Sequence, residues 1–83
     1  MSMYEVYLSK RAALRILNNE VCKIYVEKAH SEFTIEPGIR EDNTVYVPIE
    51  KILVPLSDIT KVEVTNRFGG FKTMMTVDWD DEN

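Results

Sequence analysis

The sequence is poor in the residues that build most catalytic and metal sites. Its 83 residues include one histidine, His30, and one cysteine, Cys22, which excludes any site that needs two histidines or two thiolates. An internal disulfide is excluded too, as is typical of chains in a reducing compartment. No Gly-x-Ser-x-Gly, phosphate-loop or dinucleotide-binding motif occurs. We therefore predict no enzymatic activity, no bound metal and no cofactor, and we interpret Cys22 as a small buried apolar residue.

Long apolar runs are absent as well. No stretch approaches the roughly 20 apolar residues that cross a bilayer, and the first residues do not resemble a secretion signal. We therefore expect a cytoplasmic protein without a membrane span. The apolar fraction of 45% and the charged fraction of 29% are those of an ordinary globular chain. The length predicts one small domain over residues 1–83, with an acidic end at residues 80–83 that frays.

Positive charge is scarce in the second half of the chain. Residues 1–31 hold five basic and three acidic side chains, a net charge of +2, whereas residues 32–83 hold five basic and eleven acidic ones, a net charge of −6. This imbalance argues against nucleic-acid binding through overall charge. Two narrower hypotheses remain open. One is a local basic face in the first half, and the other is an acidic half that mimics a nucleic-acid backbone, as in small inhibitors encoded by mobile elements.

The clearest structural pattern is a β-hairpin over residues 58–80. Gly69-Gly70 supplies two residues that can take φ > 0, as a two-residue hairpin loop requires. That loop predicts cross-strand pairs on an apolar and a polar face, namely Val64–Met75, Val62–Val77, Thr60–Trp79, Lys61–Asp78 and Glu63–Thr76. At the tip, Phe68 would face Phe71, next to the like-charged pair Arg67 and Lys72.

The rest of the chain predicts one helix and several short strands. Ser9 is a suitable N-cap for a helix of about residues 9–19. Alternating or β-branched stretches predict strands at residues 4–8, 21–27, 33–36, 44–47 and 52–54. For residues 20–29, a continuation of the helix is the alternative to a strand. Together these elements predict an α+β fold in which a small antiparallel sheet of five to six strands packs on one N-terminal helix.

A resemblance to a known family accompanies this pattern. The segment Val54-Pro55-Leu56-Ser57-Asp58-Ile59, followed by Val62-Glu63-Val64, Arg67 and Gly70, resembles the mid-domain pattern of bacterial PH-like domains. The resemblance covers residues 33–79 and implies a binding scaffold without catalysis. The chain departs from the family because it lacks the C-terminal capping helix and places its helix before the strands.

Two kinds of binding surface are predicted. For a protein partner, the candidate residues are those of the hairpin tip, Arg67, Phe68, Phe71 and Lys72. A free sheet edge, which a partner strand or a second copy of the chain would extend, completes that surface and predicts a homodimer. For a nucleic acid, the candidates are a basic helix face and a stacking aromatic ring, namely Lys10, Arg11, Arg15 and Tyr7. We therefore predict a regulatory module, an inhibitor or adaptor that acts by binding another macromolecule.

Overall fold

One α-helix and seven β-strands make up the described part of the chain. The computed structural model of the protein describes residues 5–65, 70 and 72–81. The elements in chain order are β1 Val6–Ser9, α1 Lys10–Asn19, β2 Cys22–Val26, β3 Ser31–Ile35, β4 Thr44–Val47, β5 Ile52–Pro55, β6 Ile59–Thr65 and β7 Lys72–Asp78. Short 3₁₀ turns follow β2 and β5. The predicted tip residues Arg67, Phe68 and Phe71 lie outside the described residues.

Two sheets arise from these strands. Five strands pair in the order β1-β7-β6-β2-β3, and β4 pairs with β5 as a separate two-stranded ribbon. The α+β class with one helix packed on a small sheet is confirmed. The prediction of a wholly antiparallel sheet is wrong at one edge, because β1 runs parallel to β7. Parallel neighbours require a long crossover, and here the chain from α1 to β6 provides it.

The helix begins where its capping residue predicts. Ser9 has extended backbone angles, and its Oγ accepts a hydrogen bond from the N–H of Ala12 at 3.1 Å. The helix ends at Asn19, since Glu20 is already extended while its N–H still reaches the carbonyl of Ile16. Residues 22–26 then form β2. The predicted strand is confirmed there, and the alternative of a continuing helix is wrong.

The core lies between one face of the five-stranded sheet and two elements that cover it, α1 and the β4–β5 ribbon. The helix contributes Ala13 and Leu17, both 0% exposed. The buried aliphatic and cysteine side chains of the sheet and ribbon are Cys22, Ile24, Val26, Ile35, Val45, Val47, Val54, Ile59, Val62 and Val77. The prediction that Cys22 is a buried apolar residue is confirmed.

The β6–β7 hairpin is present, but its register differs from the predicted one. Val62 pairs with Met75 rather than Val77, Lys61 pairs with Thr76 rather than Asp78, and Glu63 pairs with Met74 rather than Thr76. The predicted partners are therefore wrong by two positions, whereas the division into an apolar and a polar face is right, because a two-residue shift keeps each side chain on its face.

The length of the connection explains this difference. Pairing ends at Thr65 and Lys72, so six residues join the strands instead of the two assumed for a Gly69-Gly70 loop. Lys72 pairs with Thr65, and the predicted partner Arg67 lies outside the described residues. Gly70 has φ +68, the left-handed conformation expected of it from the sequence.

A bulge shapes the other end of the hairpin. Tyr25 pairs with Lys61 and Val26 pairs with Ile59, so Thr60 is left over on β6. The predicted Thr60–Trp79 pair is wrong, since Trp79 follows the end of β7 and its indole Nε1–H donates to the carbonyl of Ile59 at 2.7 Å. This bond satisfies the carbonyl next to the bulge and fixes the indole against the sheet.

Candidate interaction surfaces

Exposed large apolar side chains form two groups among the described residues, and Val21 is exposed by itself. Within the described residues, the exposed ones are Val6, Tyr7, Val21, Ile49, Ile52 and Leu53. Val6 and Tyr7 belong to β1, and the last three belong to the β4–β5 hairpin. Scattered exposed apolar residues are normal, but grouped ones often mark an interface. These two groups are therefore the surfaces to consider.

The first surface is the ribbon patch, the exposed end of the β4–β5 hairpin with Ile49, Ile52 and Leu53. Ile49 lies in the loop, Leu53 on the outer face of β5, and Ile52 on the inner face at the end of the strand. Neighbouring residues of a strand point to opposite faces, so the apolar run from Ile52 to Val54 cannot be buried as a whole. Val54 pairs with Val45 against the core. Leu53 pairs with Tyr46 on the outer face and is 46% exposed. The run therefore places one large aliphatic side chain in water.

The loop of the same hairpin holds the second side chain of the patch outward. Four residues join the paired ends Val47 and Ile52. The N–H of Lys51 donates to the carbonyl of Val47 at 2.8 Å, and Lys51 has φ +58. Pro48 restricts the backbone where the loop begins. This closed turn carries Ile49 at its tip, where the residue is 78% exposed.

The second surface is the outer side of β1. Among the described residues, β1 has a hydrogen-bonded neighbour on one side only, β7. The opposite sheet edge differs, because β4 approaches β3 there and the N–H of Glu36 donates to the carbonyl of Tyr46 at 3.2 Å. Within residues 5–65, 70 and 72–81, the free edge predicted from the sequence is thus at β1.

Tyr7 lies on the face of the sheet opposite to α1. Val6 and Leu8 pair with Met75 and Val77, which face the core, so Tyr7 between them points the other way. There it begins a cross-strand row that continues through Thr76, Lys61 and Tyr25. The Nζ atom of Lys61 lies 5.9 Å from the centre of the Tyr25 ring. This open face is mixed polar and aromatic.

The Tyr7 side chain is held by a carboxylate. Its hydroxyl donates to Glu5 Oε2 at 2.8 Å, and the hydroxyl of Thr76 donates to Glu5 Oε1 at 3.1 Å. The two bonds stabilise the ionised carboxylate, so the pKa of Glu5 is lowered. The same contact raises the pKa of Tyr7, because the neutral hydroxyl is the form that donates to Glu5. A nucleobase that accepted a hydrogen bond from Tyr7 would have to compete with Glu5 for this hydroxyl.

The structure divides the residues predicted to contact a nucleic acid. Arg11 and Arg15 are exposed and lie one helical turn apart on α1. Lys10 instead lines a groove of about 560 Å³ with Leu14, Leu56 and Trp79. Tyr7 lies on the far face of the sheet. The helix therefore brings Arg11 and Arg15 together but not the whole set.

The residues of the protein-binding prediction are only partly described. Lys72 is exposed at the start of β7 and pairs with Thr65. The sequence reasoning missed the ribbon patch altogether. A signal was available in three consecutive apolar strand residues, Ile52 to Val54, because any strand with a single covered face must expose one or two of them.

The thiol of Cys22 is unsuited to nucleophilic chemistry. Cys22 is 4% exposed, at the start of β2. Burial, and next the negative charge of Glu20, raise the pKa of the thiol to about 11. The thiol is therefore protonated at neutral pH, whereas the thiolate is the reactive form.

The comparisons with known proteins add no assignment. No protein-family model, no curated protein and no solved structure matches the chain. Within residues 5–65, 70 and 72–81, no three His, Cys, Asp or Glu side chains gather as metal ligands would. In the same residues, no helix combines the length and the apolar character that crossing a membrane takes. Any proposal about function therefore rests on the surfaces of the chain itself.

Proposed function

We propose that the protein is a non-catalytic module that binds another protein through the ribbon patch. The observation that carries this proposal is the exposure of Ile49, Ile52 and Leu53, three large aliphatic side chains within five residues. Their exposed fractions are 78%, 40% and 46%. The module acts as an inhibitor or adaptor. The resemblance of residues 33–79 to bacterial PH-like domains implies a binding scaffold, which agrees with that role.

The chemistry of the patch favours a protein partner. Aliphatic side chains offer no hydrogen bonds to bases or phosphates, and they gain free energy only when they leave water. Full burial of one Ile or Leu side chain contributes about 1.5–3 kcal/mol. Burial of the exposed part of Ile49 against a complementary apolar surface would therefore contribute about 1–2 kcal/mol to the free energy of binding. An affinity useful in a cell needs further contacts around these three anchors.

The patch is already held in place before any partner arrives. The inner face of the same hairpin is fixed in the core by Val45, Val47 and Val54, each at most 4% exposed. The hydrogen bond from Lys51 to Val47 closes the loop. Binding to a preorganised surface costs little ordering of backbone and side chains. This support is what distinguishes the patch from single exposed residues such as Val21.

Nucleic-acid binding is the second candidate function. Its support is the pair Arg11 and Arg15, which are exposed one turn apart on α1. Two arginines neutralise few phosphates, and the chain carries a net charge of −4. Salt-sensitive binding of a labelled RNA or DNA pool, abolished by Arg11→Glu with Arg15→Glu, would favour this function over the first.

Affinity capture with matched variants tests the proposal. Wild-type protein, the double variant Ile49→Ser with Leu53→Ser, and the control Val21→Ser are immobilised and exposed to extract of the producing cells, with and without nuclease. We expect a protein that is retained by wild type and Val21→Ser, is insensitive to nuclease, and is lost from the double variant. Equal retention by the double variant, or loss after nuclease treatment, would contradict the proposal. Urea unfolding of each variant confirms that it is folded.

A further inference from the structure

Among the described residues, the outer edge of β1 lacks the features that keep sheet edges from pairing. Alternate residues of an edge strand direct their N–H and C=O groups away from the sheet. Natural edges are protected by charges, proline, bulges or a covering segment. Val6–Ser9 contains neither a charged residue nor a proline, and it pairs with β7 in a regular register. Val6 is 44% exposed there, although it lies on the core side of the sheet.

We propose that a second copy of the chain occupies this edge. In this homodimer, β1 pairs antiparallel with β1 of the other copy around a two-fold axis perpendicular to the sheet. The two five-stranded sheets then become one continuous sheet. This inference concerns a surface other than the ribbon patch and goes beyond the proposed function. A dimer would present two ribbon patches at once.

The alternation of side chains sets the register of this pairing. The axis keeps the two core faces on the same side, so residues on the core side must meet residues on the core side. Centred on Tyr7, the register places Tyr7 opposite Tyr7 of the second copy and Val6 opposite Leu8. A slip by one residue would set Val6 against Tyr7 and mix the faces. A shift by two towards α1 would set Val6 against Lys10, where the backbone is already helical. A shift by two in the other direction would leave Val6 as the only residue of β1 that pairs with β1 of the other copy.

A second copy of the chain is the partner that fits the edge of β1 best. A two-fold contact needs a patch that is complementary to itself, and in the Tyr7-centred register no two like charges meet. Glu5, the nearest charged side chain, lies opposite Ser9. The contact covers the exposed flank of Val6 with the aliphatic side chain of Leu8. The small core of an 83-residue chain gains from this added burial.

The contact is expected to be weak and dependent on concentration. Stable interfaces bury about 800 Å² on each partner, and a four-residue strand buries less than that. We expect sedimentation equilibrium over a roughly hundredfold range of protein concentration to show a monomer–dimer equilibrium. A monomer throughout that range would overturn the proposal.

Two substitutions of opposite charge at Tyr7 test the register. Tyr7→Lys places two ammonium groups opposite each other, and Tyr7→Glu places two carboxylates there. We expect either variant alone to weaken dimerisation at least about tenfold, and an equimolar mixture of the two to restore it. Failure of the mixture to associate would overturn the Tyr7-centred pairing. Urea unfolding and circular dichroism establish that both variants are folded.

Two controls separate this edge from other surfaces. Glu32→Lys changes the charge on β3, the opposite edge strand, and should leave dimerisation unchanged. The double variant Ile49→Ser with Leu53→Ser should also dimerise as wild type does. Loss of the dimer in either control would show that another surface joins the copies and would overturn the proposal. A dimer that persists without capture of another protein would instead count against the proposed function alone.

Discussion

Leu17 lies in the contact between α1 and the sheet, with 0% of its side chain exposed. Hydrogen bonds hold the backbone at the end of α1 to residues 38–39. The N–H of Gly38 donates to the carbonyl of Leu17 at 2.9 Å. The N–H of Ile39 donates to Asn18 Oδ1 at 2.8 Å. These bonds limit how far the surroundings can collapse into a cavity. We therefore expect Leu17→Ala to cost about 3–5 kcal/mol, the upper part of the range for buried leucines.

Leu14 provides a matched comparison on the same helix. It lies one turn earlier and lines the open groove, so its side chain is only partly buried. Leu14→Ala makes the same chemical change with the same helix propensity, and it leaves no closed cavity. We expect it to cost about 1 kcal/mol. The difference of about 2–4 kcal/mol is large, since a domain of this length has a total stability of about 4–12 kcal/mol.

Urea unfolding measures both costs. The helix and strands are followed by far-ultraviolet circular dichroism, and the environment of Trp79, the single tryptophan, is followed by fluorescence. The midpoint should shift much further for Leu17→Ala than for Leu14→Ala, at an unchanged slope m. If Leu14→Ala were equally or more destabilising, α1 would present a different face to the sheet, and the packing derived above would be wrong.

Two other predictions concern the start of the helix and the buried thiol. Ser9→Ala removes the acceptor for the Ala12 N–H and should cost about 1 kcal/mol in urea unfolding, whereas Ser9→Asp should retain the stability; equal losses would refute the cap. With its pKa raised from 9.0 to about 11, Cys22 contributes stability that is present below about pH 9 and lost as the pH rises towards 11, because the unfolded thiol ionises first. In urea unfolding, Cys22→Ala should lose less stability than wild type over that pH interval. Identical stability profiles of the two proteins would contradict the raised pKa of Cys22.

Local patterns in the sequence predict local structure well in this chain. The Ser9 hydroxyl and the polar pair Asn18-Asn19 mark both ends of α1, since capping and termination depend on neighbouring residues. The alternation in residues 22–26 predicts β2 and its buried face, because side chains of a strand alternate. The conformation of these elements is therefore determined by residues that are close to one another in the sequence.

Long-range pairing is where the sequence reasoning falls short. The hairpin register depends on loop length, and Gly69-Gly70 alone does not specify that length. The parallel pairing of Val6–Ser9 with β7 leaves no trace in the pattern of either strand, because alternation reports which face is buried and not which strand lies beside it. Similarly, the exposure of Leu53 in the ribbon patch follows from the separate β4–β5 pair, whose outer face no other described element covers.

The parallel pairing of β1 with β7 has a mechanical consequence. The two strands run in the same direction, and they are the first and last elements of the described chain. A pull on the two ends drags Val6 towards one end of the pair and Asp78 towards the other. The hydrogen bonds between the strands are then strained together, in shear, and not opened one at a time as in a zipper. A force applied between the two ends of the described chain therefore has to break this strand pair as one unit.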